Sequence, residues 1–85
     1  MRRDEALVKA FGLELKARRS KLKLSQEALA DLAAINRTYV AKLELGRNQP
    51  TLSILHRLAQ ALGDDLPELL RETLKRYERG KPKRR

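Results

Sequence analysis

The chain has 85 residues, which suffices for one domain but leaves little buried volume to enclose a deep catalytic pocket. Twenty Lys and Arg residues against eleven Asp and Glu give a formal net charge of +9, which favours a polyanionic partner, although membrane surfaces and acidic proteins also meet that condition. No cysteine is present, which excludes a disulfide framework and a thiolate metal site.

The apolar residues recur with a helical period, and no sustained alternation indicates strands, so the sequence predicts an all-α fold. The first helix is indicated by one apolar stripe of Leu7, Phe11, Leu15 and Leu22. Ser25 then suits an N-cap, because its hydroxyl can accept a hydrogen bond from a free backbone N–H. We expect the second helix to run from there to about Ala33.

Asn36 can cap a third helix in the same way, and Gly46 is placed to end it in a left-handed conformation. Pro50 and Thr51 open a fourth helix, which Gly63 stops. The start of the chain, residues 1–5, lacks the apolar core of a signal peptide, and no apolar run is long enough to span a bilayer. The sequence therefore predicts a soluble protein.

A fifth helix is predicted over residues 65–78. Its apolar residues fall within a single arc of the helical wheel: Leu66, Leu69, Leu70, Leu74 and Tyr77. Such an arc can cap the core of the monomer or form a twofold interface. Residues 80–85 carry four positive charges and no apolar residue, so we predict one domain over residues 1–79 and a disordered basic tail after it.

The third helix presents two different faces. At about 100° per residue, Val40 and Leu43 point to one side, where they are expected to pack. The opposite side carries the residues that we predict to contact DNA bases: Arg37, Thr38, Ala41 and Lys42. Arg and Lys can donate to guanine O6 and N7, and Thr can offer a hydroxyl or a methyl group to a base. Alanine leaves room for close approach.

Phosphate contacts are expected from around this helix. Gln26 is predicted to be exposed at the N-terminus of the second helix, where an amide donor meets a positive dipole end. The loop 47–49 supplies further donors after the third helix. The other residues predicted to contact phosphate are Ser25, Asn36, Tyr39, Arg47 and Asn48. Such contacts set register and carry no sequence preference.

About 60 of the 85 residues, from Phe11 to Leu70, resemble the Cro and phage-repressor type (XRE-family) helix-turn-helix domain. The positions that match the pattern of this family are Arg19, Ser25, Gln26, Glu27, Leu29, Ala30, Val40, Leu43, Glu44, Gly46, Pro50, Thr51 and Leu52. The resemblance implies a five-helix, lambda-repressor-like fold. It also implies that Gln26 touches phosphate, that residues 37, 38 and 42 read bases, and that Arg19 pairs with Glu44 to brace the first helix against the third.

Residues 36–40 look more particularly like the recognition helix of restriction-modification controller proteins, which are small dimeric members of this family that regulate their own operon. Two residues depart from the family pattern: Ala34 occupies a turn position that is often Gly, and Lys23 replaces a frequent Gly before the second helix. Because an alanine adopts the left-handed conformation only at a steric cost, we expect a slightly rearranged turn.

We therefore predict a cytoplasmic, bacterial nucleoid-associated transcriptional regulator that binds double-stranded DNA as a homodimer on an inverted-repeat operator. Of the two roles of the fifth helix, the twofold interface is favoured, because a symmetric dimer can place two recognition helices about 34 Å apart in successive major grooves. An antitoxin or another protein-interaction module on the same fold is the alternative. No cofactor or metal is implied, His56 has no ligand partner nearby in sequence, and no nucleophile–base pair indicates an enzyme.

Overall fold

The computed structural model describes residues 2–80. It contains five α-helices in this order: α1 (Glu5–Lys21), α2 (Gln26–Ala33), α3 (Arg37–Glu44), α4 (Leu52–Leu62) and α5 (Leu66–Arg79). No strand occurs within the described range, so the predicted all-α class is confirmed. The predicted basic tail lies outside the described residues except for Gly80, which forms the C-cap of α5. None of the described helices has the length and hydrophobicity needed to cross a membrane.

The helices begin where short polar side chains cap them. Ser25 Oγ accepts a hydrogen bond from the Ala28 N–H at 2.9 Å. Asn36 Oδ1 accepts from the second and third backbone N–H groups of α3 at 2.7 and 3.3 Å. Thr51 and Asp65 cap α4 and α5 in the same manner. Each cap satisfies a backbone donor that the helix itself leaves free, and contributes about 1 kcal/mol.

Left-handed residues end α2, α3 and α4. Gly46 and Gly63 have φ angles of 73° and 72°, which confirms the prediction that glycine terminates α3 and α4. Ala34 also takes the left-handed conformation, with φ 57° and ψ 45°, and ends α2. Lys23, between α1 and α2, has a φ of 60°. The expected rearrangement of the turn is therefore not needed, since Ala34 adopts this conformation itself at a steric cost of about 1–2 kcal/mol.

The core lies where the five helices meet. Its fully buried side chains are Leu15, Leu29, Val40, Leu43, Leu58 and Leu69. The predicted stripe of α1 is correct for Phe11 and Leu15, which are buried, but wrong for Leu22. Leu22 is 50% exposed, because α1 ends at Lys21 and Leu22 is its C-cap. Val8 is buried on α1 instead.

The fold divides the apolar arc of α5 between core and surface. Leu69 is fully buried within the monomer, so the prediction that placed it in a subunit interface is wrong for this residue. Leu66 packs partly buried against the same core. Leu74 is 49% exposed, and the half-buried Tyr77 donates its hydroxyl to the Asp4 carboxylate. One side of α5 therefore serves the monomer, and only the outer part of the arc is accessible.

An ion-pair cluster fastens α5 to α1 on the other side. Glu14 accepts from Arg18 Nε at 2.6 Å and from Arg76 Nε at 2.7 Å, and Arg18 Nη1 also reaches Asp64 at 2.8 Å. Burial alone raises the pKa of Glu14, but the hydrogen bonds and charges of the two guanidinium groups outweigh that effect and hold the pKa below its ordinary value of 4.5.

The lowered pKa of Glu14 couples the stability of the fold to pH. An unfolded chain takes up the Glu14 proton first as the pH falls, so this contribution is complete above about pH 4.5 and is lost below it. We expect Glu14→Gln to cost about 1–2 kcal/mol at pH 7 and to flatten the loss of unfolding free energy in acid. Urea unfolding from pH 7 to 3 measures this, with Glu72→Gln as the control, because the side chains of Glu72 and its partner Lys75 are 32% and 57% exposed. Equal acid slopes for wild type and Glu14→Gln would contradict the assignment.

Candidate nucleic-acid interface

The helices α2 and α3 form a helix-turn-helix unit in which α3 is held by its inner side. Val40 and Leu43 are fully buried in the core that also contains Leu29. The connecting turn is closed by backbone hydrogen bonds from the Ala34 N–H to the Asp31 carbonyl at 3.2 Å and from the Ile35 N–H to the Ala30 carbonyl at 2.9 Å. This arrangement fixes α3 on α2 and leaves the other side of α3 facing outward.

The outer side of α3 carries the residues predicted to contact bases. Arg37, Thr38 and Lys42 are exposed, while Ala41 is half-buried. Within residues 2–80, the side chains of Thr38 and Lys42 form no hydrogen bond or ion pair. Arg37 Nη1 lies 3.5 Å from Gln26 Oε1, a long and weak contact. The structure thus brings two donors and a hydroxyl together on one exposed face, with unused hydrogen-bonding capacity.

Glu44 is the polar centre that joins α1, α2 and α3. Its two carboxylate oxygens accept from Arg19 Nε at 2.6 Å and from Arg19 Nη2 at 3.0 Å. Arg19 Nη1 also donates to the Leu24 carbonyl at 2.8 Å. The Glu44 side chain is only 3% exposed. The hydrogen bond to Glu44 raises the pKa of Arg19 further, in spite of its partial burial. The Arg19–Glu44 pair implied by the family resemblance is thus present in the structure.

Gln26 is more enclosed than its sequence position indicates. It is half-buried, and its side-chain amide donates to Glu44 Oε1 at 3.0 Å. The prediction of an exposed Gln26 is therefore wrong, because the carboxylate of α3 draws this side chain inward. A primary amide has two N–H donors, so one remains for another acceptor at the N-terminus of α2.

The other residues predicted to contact phosphate surround α3. Arg47 is exposed in the loop after α3 and Asn48 is half-buried there, while the exposed Ser25 uses its hydroxyl to cap α2. Asn36 spends its carbonyl oxygen on the cap of α3, which leaves its amide N–H groups for an outside acceptor. Tyr39 is half-buried and packs against the core. The structure thus places these residues around α3 but occupies part of their hydrogen-bonding capacity.

Gly12 in the middle of α1 has a positioning role that the sequence interpretation missed. A Cβ atom on Gly12 would lie 2.3 Å from the Leu43 carbonyl oxygen and 2.8 Å from that of Glu44. Only a residue without a side chain allows α1 to approach the C-terminal end of α3 this closely. A signal was available, since an isolated glycine inside a helical apolar pattern weakens the helix by about 1 kcal/mol relative to alanine and can therefore indicate a packing requirement.

The geometry defines a class of protein. The helix α3 is short, is fixed by its apolar side and has a polar, basic outer side, and hydrogen-bond donors lie beside it at the start of α2 and in the loop after α3. Helix-turn-helix proteins enter the major groove with this arrangement. Among residues 2–80 no group of His, Cys, Asp and Glu side chains is arranged to hold a metal ion.

Comparison with known proteins agrees with this class. The family model described as a helix-turn-helix domain matches residues 10–72. The control protein C.SmaI of Serratia marcescens is 40% identical over 57 residues, which are 67% of this chain and 68% of that protein. The immunity repressor protein of Bacillus phage phi105 is 39% identical over 61 residues, which are 72% of this chain but only 42% of the repressor.

A solved structure shows the same fold. The crystal structure of the restriction-modification controller protein C.AhdI from Aeromonas hydrophila superimposes with a TM-score of 0.72 at 37% sequence identity, covering 73% of this chain and 94% of that one. The chain belongs to the helix-turn-helix domain family, and it is a DNA-binding transcriptional regulator. This family is a class of transcription regulators and not of enzymes.

Proposed function

We propose that the exposed face of α3 reads base pairs in the major groove of an operator. One observation carries the proposal: Val40 and Leu43 are fully buried, while Arg37, Thr38 and Lys42 on the other side are exposed. The helix therefore has a fixed orientation and an accessible set of base-edge donors. The free amide N–H of Gln26 and the donors of Asn36, Tyr39, Arg47 and Asn48 would hold the phosphates on either side of the groove.

The division between base reading and phosphate contact gives a direct test. We expect Lys42→Ala to reduce discrimination at one base position by about 1–3 kcal/mol. Gln26→Ala should weaken operator and random duplexes alike, by about 1 kcal/mol, because a phosphate contact carries no sequence information. Fluorescence anisotropy on a duplex selected from a random library, and on a scrambled duplex, measures both effects. The assignment fails if both variants lose the same affinity on both duplexes.

We propose that the regulator acts as a homodimer on an inverted repeat. One helix-turn-helix reads only a few base pairs, and a twofold dimer places two such helices about 34 Å apart. An apolar groove of about 330 Å³ between α1, the start of α4 and α5 supports this. Its more exposed apolar lining includes Leu7, Pro50, Leu55, Leu70 and Leu74. Leu52 is 75% exposed at the start of α4. Buried in a dimer, this surface would be removed from water.

The dimer proposal is tested by one charge placed on this surface. We expect Leu74→Glu to weaken self-association by at least about tenfold, because a carboxylate would lose its hydration in an apolar contact. Leu22→Glu is the matched control, since Leu22 and Leu74 are 50% and 49% exposed and Leu22 lies at the opposite end of α1 from Leu7. Analytical ultracentrifugation gives the dissociation constants. A wild type that stays monomeric when it saturates its operator, or equal effects of both variants, would contradict the proposal.

The likeness to C.SmaI and C.AhdI supports a narrower proposal, namely that this regulator acts in the cytoplasm and controls a restriction-modification operon. A neighbouring gene pair for a restriction endonuclease and a methyltransferase would support it, and a neighbouring toxin gene would favour the antitoxin alternative. Binding of the protein to the promoter of its own operon tests the proposal directly. If the protein binds a selected duplex but does not bind this promoter, the proposal that it controls its own operon is wrong and only the proposal of DNA binding stands.

A further inference from the structure

Three cationic residues lie together beside the C-terminal end of α3, and two of them come from the N-terminal part of the chain. Arg3 Nη2 donates to the Arg47 carbonyl oxygen at 2.9 Å. The backbone of α1 passes close to Gly46 at Lys9. A Cβ built on Gly46 would lie 3.1 Å from the Lys9 Cα and 3.3 Å from the Lys9 Cβ. We define the residues Arg3, Lys9 and Arg47 as the basic flank.

The basic flank keeps its positive charge available. Lys9 and Arg47 are exposed and form no ion pair within residues 2–80. Arg3 pairs with Glu5 at 3.0 Å, but the Glu5 side chain is 71% exposed, so solvent screens this pair and it is weak. The other nearby carboxylate is that of Asp4, which accepts from the Leu7 N–H and the Tyr77 hydroxyl and keeps its charge. Three cations thus stand against the two carboxylates of Asp4 and Glu5, and the flank presents more positive than negative charge to a polyanion.

We propose that the basic flank binds the phosphate backbone of duplex DNA beyond the base pairs that α3 reads. This inference rests on the proposed function of α3. Arg47 lies three residues after the end of α3, in the loop proposed to lie against the groove wall. The hydrogen bond from Arg3 ties the N-terminal segment to that loop. The Lys9 stem runs past Gly46 at the end of α3, so its ammonium group extends the same cationic surface. The surface that contacts DNA thus includes Lys9 of α1 and Arg3 of the segment before α1, in addition to the helix-turn-helix.

The salt dependence of binding tests the inference residue by residue. Each neutralised phosphate contributes about 0.9 to the slope of log affinity against log salt. We expect Lys9→Gln and Arg3→Gln each to lower this slope by about that amount and to weaken operator and scrambled duplexes equally, by about threefold to tenfold at low salt. Lys9→Arg should keep the wild-type slope. Arg57→Gln is the matched control, because Arg57 is an exposed cation on α4 without an ion pair in the described part of the chain.

The length of the duplex separates this inference from the function on which it rests. Removing about half a helical turn outside the selected site should weaken binding of the wild type. It should weaken binding of Lys9→Gln less, since this variant has already lost one of the contacts to those phosphates. The inference is overturned if Lys9→Gln behaves like Arg57→Gln on both duplexes while Lys42→Ala still loses base preference. In that outcome the proposed function stands. If the wild type binds neither duplex, both are overturned.

Discussion

Replacing Arg19 by methionine is expected to lower the free energy of unfolding by about 3–5 kcal/mol, which is the usual cost of breaking a buried ion pair. The Arg19 side chain is 13% exposed and that of Glu44 only 3%. Methionine keeps most of the aliphatic volume but leaves the Glu44 carboxylate without its bidentate partner, with the Gln26 amide as its remaining donor. A buried carboxylate with one neutral donor is poorly compensated. Urea unfolding at pH 7 measures the loss.

Two further variants show whether burial causes this effect. Arg71→Gln breaks an ion pair with Glu68 in which the two side chains are 58% and 44% exposed, and we expect a change within about 0.5 kcal/mol. The double variant Arg19→Met with Glu44→Leu should be more stable than Arg19→Met alone, because no unpaired charge is left inside. A loss below about 1 kcal/mol for Arg19→Met would show that the pair is not a major brace between α1 and α3.

Gly12→Ala is expected to destabilise the fold by about 2 kcal/mol or more, although alanine is the better helix former by about 1 kcal/mol. The added Cβ would meet carbonyl oxygens of α3 at 2.3 and 2.8 Å. These are backbone atoms, so no rotamer change relieves the contact and α1 must move away from α3. The melting temperature should fall by about 10 °C. Operator binding should weaken more than binding to a scrambled duplex, because the displaced α3 no longer meets the base edges.

Gly80→Ala is the control for this prediction. A Cβ on Gly80 would have its nearest neighbour at 3.5 Å, an ordinary van der Waals distance, so we expect a change within about 0.5 kcal/mol. The same chemical substitution is therefore expected to be costly at Gly12 and nearly neutral at Gly80, because only Gly12 lies against α3. A Gly12→Ala variant as stable as the wild type would show that α1 and α3 can separate at little cost.

Both predictions concern the packing of α1 against α3. Gly12 sets the distance between α1 and α3, and the Arg19–Glu44 pair holds that distance further along α1. The carboxylate of Glu44 also holds the Gln26 amide at the N-terminus of α2. One side chain of α3 thus links the packing of the domain to a residue proposed to contact phosphate. Damage to this contact is expected to affect stability and DNA binding together.

The sequence alone determined the features that depend on residues close together along the chain. Ser25 and Asn36 cap the helices that they were predicted to cap, and α4 and α5 begin beside Thr51 and Asp65, where the sequence predicted their starts, because a cap acts within one helical turn. Gly46 and Gly63 end their helices for the same local reason. The helical period likewise predicted which side of α3 is buried, and the fixed spacing of the motif residues predicted the family.

Only the tertiary structure decided what depends on segments far apart in the chain. Leu69 and Leu74 share one arc of α5, yet one is buried in the monomer and the other is half exposed, because the position of α1 and α4 decides which part of the arc is covered. Gln26 turns inward because Glu44 lies beside it, 18 positions later. Arg3 meets Arg47 across 44 positions. Helical periodicity shows which side of a helix is apolar, but packing determines which neighbour each side chain meets.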